Sequence, residues 1–148
     1  MPDRPINATF AKFGWPDTKI AELDHWGVML RPAQPTLGAL VLICKQKVTA
    51  FSDVNADGYA QLRHAIQAIE RMLQRTIGYE RINYLMLMME DFDVHFHVLP
   101  RYEGARSFGE LAILDKGWPG KPDLGHVSVL DKRQQSALVT RLRENWMM

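Results

Sequence analysis

With 148 residues the chain has room for one domain, and surface scaling lets roughly two-thirds of its unfolded surface be buried. Hydrophobic residues make up 47% and charged residues 24%, with 18 basic side chains against 17 acidic. This composition excludes a disordered chain, and without a run of one sign it excludes the broad basic footprint of a duplex nucleic-acid or anionic-membrane binder. The longest apolar run, residues 37–44, is far short of a membrane span. No signal-peptide core opens the sequence. One cysteine, Cys44, forms no internal disulfide and no cysteine-rich zinc motif. The expectation is a single cytoplasmic globular domain.

Residues 1–19 mix prolines and glycine with Phe10, Phe13 and Trp15, which reads as an irregular arm with one helical turn, tacked down by its aromatics. Residues 20–30 read as extended chain bent at Asp24 and His25. Pro32 and Pro35 mark a loop, because proline cannot donate to a ladder. Residues 40–43, rich in branched side chains, predict a buried strand. Tyr59, Leu62, Ile66, Ile69, Leu73 and Ile77 then recur at helical steps, with Asn55 as N-cap and Gly78 as stop. Residues 84–89 are apolar on both faces, as expected of a central strand. Residues 90–92 read as a short hairpin connection, and residues 93–99 alternate strictly until Pro100. Residues 103–148 form a loop-rich extension, closed by a helix that Asp131 and Gln134 cap as a box. Strands, a long helix and a tight antiparallel pair make the fold class α+β.

The alternation at residues 93–99 places Val94, Phe96 and Val98 on one face of a strand and Asp93, His95 and His97 on the other. A row of one carboxylate and two imidazoles is open to three readings. It can be a solvated sheet surface. Neutral imidazole can serve as nucleophile or general base beside an orienting carboxylate. Asp-x-His-x-His can also present facial ligands to zinc or iron, although the glutamate spacing of a cupin is absent.

The longer string, Asp93-Val94-His95-Phe96-His97-Val98-Leu99-Pro100-Arg101, resembles the signature of the histidine-triad family. Residues 38–45, a Gly-led strand ending in lysine, and the long helix extend the likeness over residues 20–102. The resemblance implies an antiparallel sheet of about five strands with the long helix packed on it. It implies that His95 is a nucleophile toward the α-phosphorus of a nucleotide, forming a nucleotidyl-imidazole that water cleaves. His97 then contacts the phosphate or the leaving-group oxygen. The substrate class is a phosphoanhydride or phosphoramidate, with diadenosine tetraphosphate the first choice. No metal or cofactor is required, though a divalent cation can accompany the substrate phosphates. Members commonly form homodimers. The alternative is a non-catalytic nucleotide-binding module on the same scaffold.

The chain departs from the family pattern in several places. Asp93 stands at the first triad histidine, and its carboxylate is expected to join the histidine network. Ala39 and Lys47 replace upstream histidines, and Arg31 lies near an acidic residue that contacts ribose. The Asn- and Gly/Ser-rich phosphate loop is missing. Among further candidates, Arg101 can hold a phosphate oxygen or cap the strand. Trp26 can stack on a base or pack beneath the sheet. Glu90 and Asp91 can bind a cation or ribose, or form a solvated turn. Residues 118–120 form a lid over the site or a plain turn. Cys44 is expected to be an inert core thiol. His25, His64 and His126 carry no assigned function.

Overall fold

The computed structural model describes residues 7–147. In chain order the elements are α1 (Ala8–Lys12), β1 (Lys19–Glu22), β2 (Trp26–Leu30), β3 (Ala33–Gln34), β4 (Leu40–Cys44), α2 (Ala56–Thr76), β5 (Arg81–Leu85), β6 (His95–Arg101), β7 (Ala105–Phe108), β8 (Leu111–Leu114), β9 (Ser128–Val129) and α3 (Lys132–Glu144). Five strands form one antiparallel sheet in the order β1-β2-β4-β6-β5. The architecture is the α+β arrangement expected, with α2 and α3 packed as predicted. Among the described residues no helix is long and apolar enough to cross a membrane. Residues 1–6 of the arm lie outside the described residues.

Both faces of the sheet are covered, which is why β2 and β4 are buried along their whole length. On one face Trp26, Val28, Leu30, Leu40, Leu42 and Val98 meet Ala65, Ile69, Met72 and Leu73 of α2. Asn55 caps that helix by accepting from the Gly58 N–H at 2.8 Å, and Gly78, at φ +67°, closes it with its N–H on the Leu73 carbonyl. Leu138, Val139 and Leu142 of α3 extend the same core, and the capping box at Asp131 and Gln134 forms as expected. On the opposite face the arm returns over the sheet. Phe10, Phe13 and Trp15 pack on Met29, Val41 and Ile43. Gly27 makes room for this: a Cβ there would stand 2.4 Å from Cε1 of Phe10.

Three expectations are corrected. The apolar segment at 84–89 is not a central strand: β5 runs Arg81–Leu85 and forms an edge of the sheet. Its dual apolarity reflects α2 on one side, where the Tyr84 hydroxyl donates to Glu70 at 2.6 Å, and a partly open cavity on the other. The connection is not a tight hairpin, since residues 86–94 form a loop in which Met88 adopts φ +51°. The segment after residue 103 is also less irregular than expected. It contains the β7–β8 hairpin, and β9 pairs with β3.

Because Phe10 fills the space that Gly27 leaves, Gly27→Ala should destabilise the protein by about 1–3 kcal/mol in urea unfolding. Adding Phe10→Leu should recover part of that loss, since the smaller side chain vacates the clash.

Candidate active site

The pleat of β6 places His95, His97, Leu99 and Arg101 on the arm side of the sheet. His95 stands opposite Ile43, and His97 lies between Val41 and Leu85. The two imidazole centroids are 5.2 Å apart, and Phe13 meets His97 edge-on at 5.8 Å. A cavity of about 470 Å³ opens above them, bounded by Lys12 and Phe13 of the arm, Arg31, and Glu90 and Asp91 of the 86–94 loop.

His95 is buried, and its Nδ1 lies 2.6 Å from the main-chain carbonyl of Asp93. A carbonyl only accepts, so the proton sits on Nδ1 and the Nε2 lone pair is free on the cavity side. That is the tautomer a nucleophile needs.

The Asp93 carboxylate does not take the expected place among the imidazoles. It accepts from the Thr9 hydroxyl at 2.8 Å and the Thr9 N–H at 3.3 Å. Because the strand starts at His95, residue 93 is off the pleat and turns toward the first turn of α1, where unpaired N–H groups favour a carboxylate. Asn7 shares the task, accepting from the N–H groups of Thr9 and Phe10. Asp93, His95 and His97 therefore do not converge as facial metal ligands. Among the described residues no group of three His, Cys, Asp or Glu side chains is placed to hold a metal ion.

His97 and Arg31 set the electrostatics. Burial first, then the charge of Arg31 and the neighbouring His95, push the His97 pKa down to about 4, so its ring is neutral at pH 7. Its Nδ1 is buried without a partner. Arg31 follows β2 directly, its N–H held by the Ala39 carbonyl at 3.0 Å. Its Nε and Nη1 are also buried without a partner, and among the described residues no carboxylate pairs with it. Burial lowers its pKa, yet a guanidinium stays charged at neutral pH. Buried, unsatisfied cationic donors are costly and call for an anion.

Other expected site residues fall elsewhere. Trp26 is fully buried on the α2 side, with its Nε1–H on the Gly58 carbonyl at 2.8 Å, so it packs beneath the sheet and offers no face to a base. Arg101 is buried and bound to Asp115 at 2.7 Å, Asn83 at 2.7 Å and the Gly120 carbonyl at 2.9 Å. Its donors are spent within the fold and it is not a free phosphate ligand. Glu90 lies exposed on the cavity rim, 3.5 Å from Lys12, and Asp91 takes the same lysine at 2.6 Å. Residues 118–120 sit against β5 and Arg101, away from the histidines. Cys44 is a buried free thiol whose pKa burial raises. Sequence reasoning missed Thr9, Lys12 and Phe13. Asn7, a capping residue type ahead of Thr9 and Phe10, is the one local signal of a helix there, and nothing in the spacing ties that helix to residues 91 and 93.

A profile of the HIT domain family matches residues 14–104, and the chain belongs to that family. Among solved structures it is similar to a histidine triad protein from Sinorhizobium meliloti, with 20% identity over 94% of each chain and a TM-score of 0.74. A histidine triad protein from Bradyrhizobium japonicum matches at 17% identity, 95% of this chain, 96% of the other and a TM-score of 0.73. A hypothetical histidine triad nucleotide-binding protein from Sulfolobus tokodaii matches at 16% identity, 86% and 82% coverage and a TM-score of 0.68. At these identities the likeness is one of fold. No curated protein matches.

Since the carbonyl of residue 93 holds the His95 proton, Asp93→Ala should leave the imidazole 15N shifts of His95 in the Nδ1–H pattern. The loss should appear in stability instead, at about 1–2 kcal/mol in urea unfolding, as for other lost caps. A second expectation concerns pH. His97 titrates near 4 in the fold and near 6.5 when unfolded, so below pH 6.5 the unfolded chain binds the extra proton. Stability should fall as pH drops from 6.5 through 4, and His97→Asn should flatten that slope in urea unfolding at pH 7 and pH 5.

Proposed function

We propose that this protein is a nucleotidyl hydrolase that cleaves a phosphoanhydride at the α-phosphorus of a nucleotide, with dinucleoside polyphosphates such as diadenosine tetraphosphate as its substrate class. The observation that carries this reading is the meeting, in one cavity, of a free imidazole lone pair at His95 and the unpartnered buried donors of Arg31 and His97. Nε2 of His95 attacks phosphorus as the bond to the leaving oxygen breaks, and the leaving phosphate departs as an anion. Water then attacks the nucleotidyl-imidazole, giving the nucleoside monophosphate and restoring the ring. Arg31 faces the charge on the equatorial oxygens. Neutral His97 donates a hydrogen bond without acting as a strong acid.

Family membership supports the reading, as does the nucleotide-binding description of the Sulfolobus tokodaii structure. Any divalent cation in the reaction enters with the substrate phosphates. A homodimer belongs to the same proposal. It draws on the exposed apolar side chains Leu87, Met89 and Phe92 of the site loop, and sedimentation velocity tests it.

With diadenosine tetraphosphate, His95→Ala should abolish turnover while keeping the native circular dichroism spectrum. Acid quench of the wild type should trap an acid-labile nucleotidylated protein by intact mass. Arg31→Ala should lower kcat/KM by roughly 100-fold or more, the scale of losing a charge-stabilising donor. Wild-type rates in His95→Ala would overturn the mechanism. Nucleotide binding without hydrolysis across a substrate panel would instead assign a non-catalytic binding role.

A further inference from the structure

Lys12, the last residue of α1, lines the same cavity as His95 and His97, yet the attack on phosphorus makes no use of it. Its place in the chain is fixed by its neighbours. Phe10 and Phe13 are buried against the sheet, and the Thr9 hydroxyl is bound to Asp93 at 2.8 Å. The Lys12 ammonium lies 5.6 Å from the centre of the Phe13 ring, and that ring meets His97 edge-on. The charges of Lys12 and Asp91 both reach the His97 imidazole, so this rim belongs to the electrostatic setting of the histidines.

The ammonium is held without being saturated. A lysine carries three N–H donors. Among the described residues Lys12 makes one hydrogen bond, to Asp91 at 2.6 Å. Asp91 is the better sheltered of the two nearby carboxylates, its side chain 20% exposed. Its bond raises the lysine pKa and keeps the ammonium charged. Glu90 stands off at 3.5 Å with its side chain 88% exposed. An ion pair that open to water is weak and exchangeable. A phosphate inside the cavity offers the ammonium a less screened partner.

The other cation of the lining is Arg31, which reaches the cavity from the end of β2 with two buried donors unpartnered. Folding thus brings two cations from separate parts of the chain to one cavity. The arginine is free among the described residues, and the lysine has donors to spare.

We propose that Lys12 is a phosphate-binding residue of this site, whose ammonium keeps Asp91 and exchanges Glu90 for a non-bridging oxygen of the nucleotide. Together with Arg31 it makes the cavity selective for a phosphorylated nucleotide over the bare nucleoside. The assignment rests on the nucleotide reading of the cavity, but it is tested by binding, without turnover.

Binding of AMP and of adenosine is measured by isothermal titration calorimetry at one ionic strength. The proteins are wild type, Lys12→Met, Glu90→Gln, the two changes combined, and Arg31→Ala, each checked for native circular dichroism. Lys12→Met should weaken AMP about tenfold, the scale of one hydrogen bond between charged partners, and leave adenosine as it is. Glu90→Gln should tighten AMP about threefold, the scale of an exposed ion pair. In the Lys12→Met background that gain should vanish, because no ammonium remains to be released. An equal gain with and without Lys12, or a gain in neither, overturns the exchange. Weaker AMP binding in both single variants marks a latch between arm and loop, and overturns it too. AMP binding that depends on Arg31 and ignores Lys12 overturns the assignment of Lys12 and retains the nucleotide site. A wild type that binds AMP no better than adenosine overturns the nucleotide reading itself.

Discussion

The hydrogen bond from Nδ1 of His95 to the carbonyl of Asp93 governs what the rest of the site can do. It places the ring proton away from the cavity and leaves the lone pair on the other nitrogen. It forms only because the chain leaves the pleat before His95, turning the residue-93 carbonyl back over the ring. That turn is anchored from outside the sheet, by Thr9 on the Asp93 carboxylate and by the Asn7 amide on the Cys44 carbonyl. The arm is thus part of the site's framework as well as a lid on apolar surface. The main chain of residue 93 serves His95 while its side chain serves the arm, so an aspartate there is compatible with an oriented imidazole.

Charge is arranged around this ring by burial. Arg31 remains cationic with no carboxylate beside it among the described residues, and His97 is held neutral by its own burial and by that cation. Buried guanidinium donors without a partner among the described residues favour an anionic ligand. By contrast, Arg101 sits a short way along the same strand face with its charge met by Asp115. Two arginines on one side of the sheet are therefore divided by what faces them. One is available to a ligand, and the other braces a loop.

Much of the scaffold could be read in the chain. The six apolar positions from Tyr59 to Ile77 mark α2, and Asn55 and Gly78 mark its ends because capping chemistry is local. Alternation at 93–99 shows which face of β6 carries the imidazoles, because the strand period is built into the backbone. The reading failed where a residue's role depends on distant chain. Residues 84–89 are as apolar as a central strand, but their place in the sheet order is decided by which strands pair outside them. Of the two roles open to Trp26, packing beneath the sheet is the one realised, because the β2–β4 register turns it toward α2. Arg101 meets a carboxylate fourteen positions onward, which no short motif reveals.

By itself the sequence determined the elements, the buried faces and the pair of imidazoles on one side of a strand, all of which follow from local periodicity and chain stereochemistry. Only the tertiary structure decided which nitrogen of His95 is free, that Arg31 meets no carboxylate among the described residues, that Arg101 meets one, and that Lys12 and Phe13 of the N-terminal arm border the site. Those properties depend on which groups meet after folding and on how far they are withdrawn from water, and no stretch of chain carries that information alone.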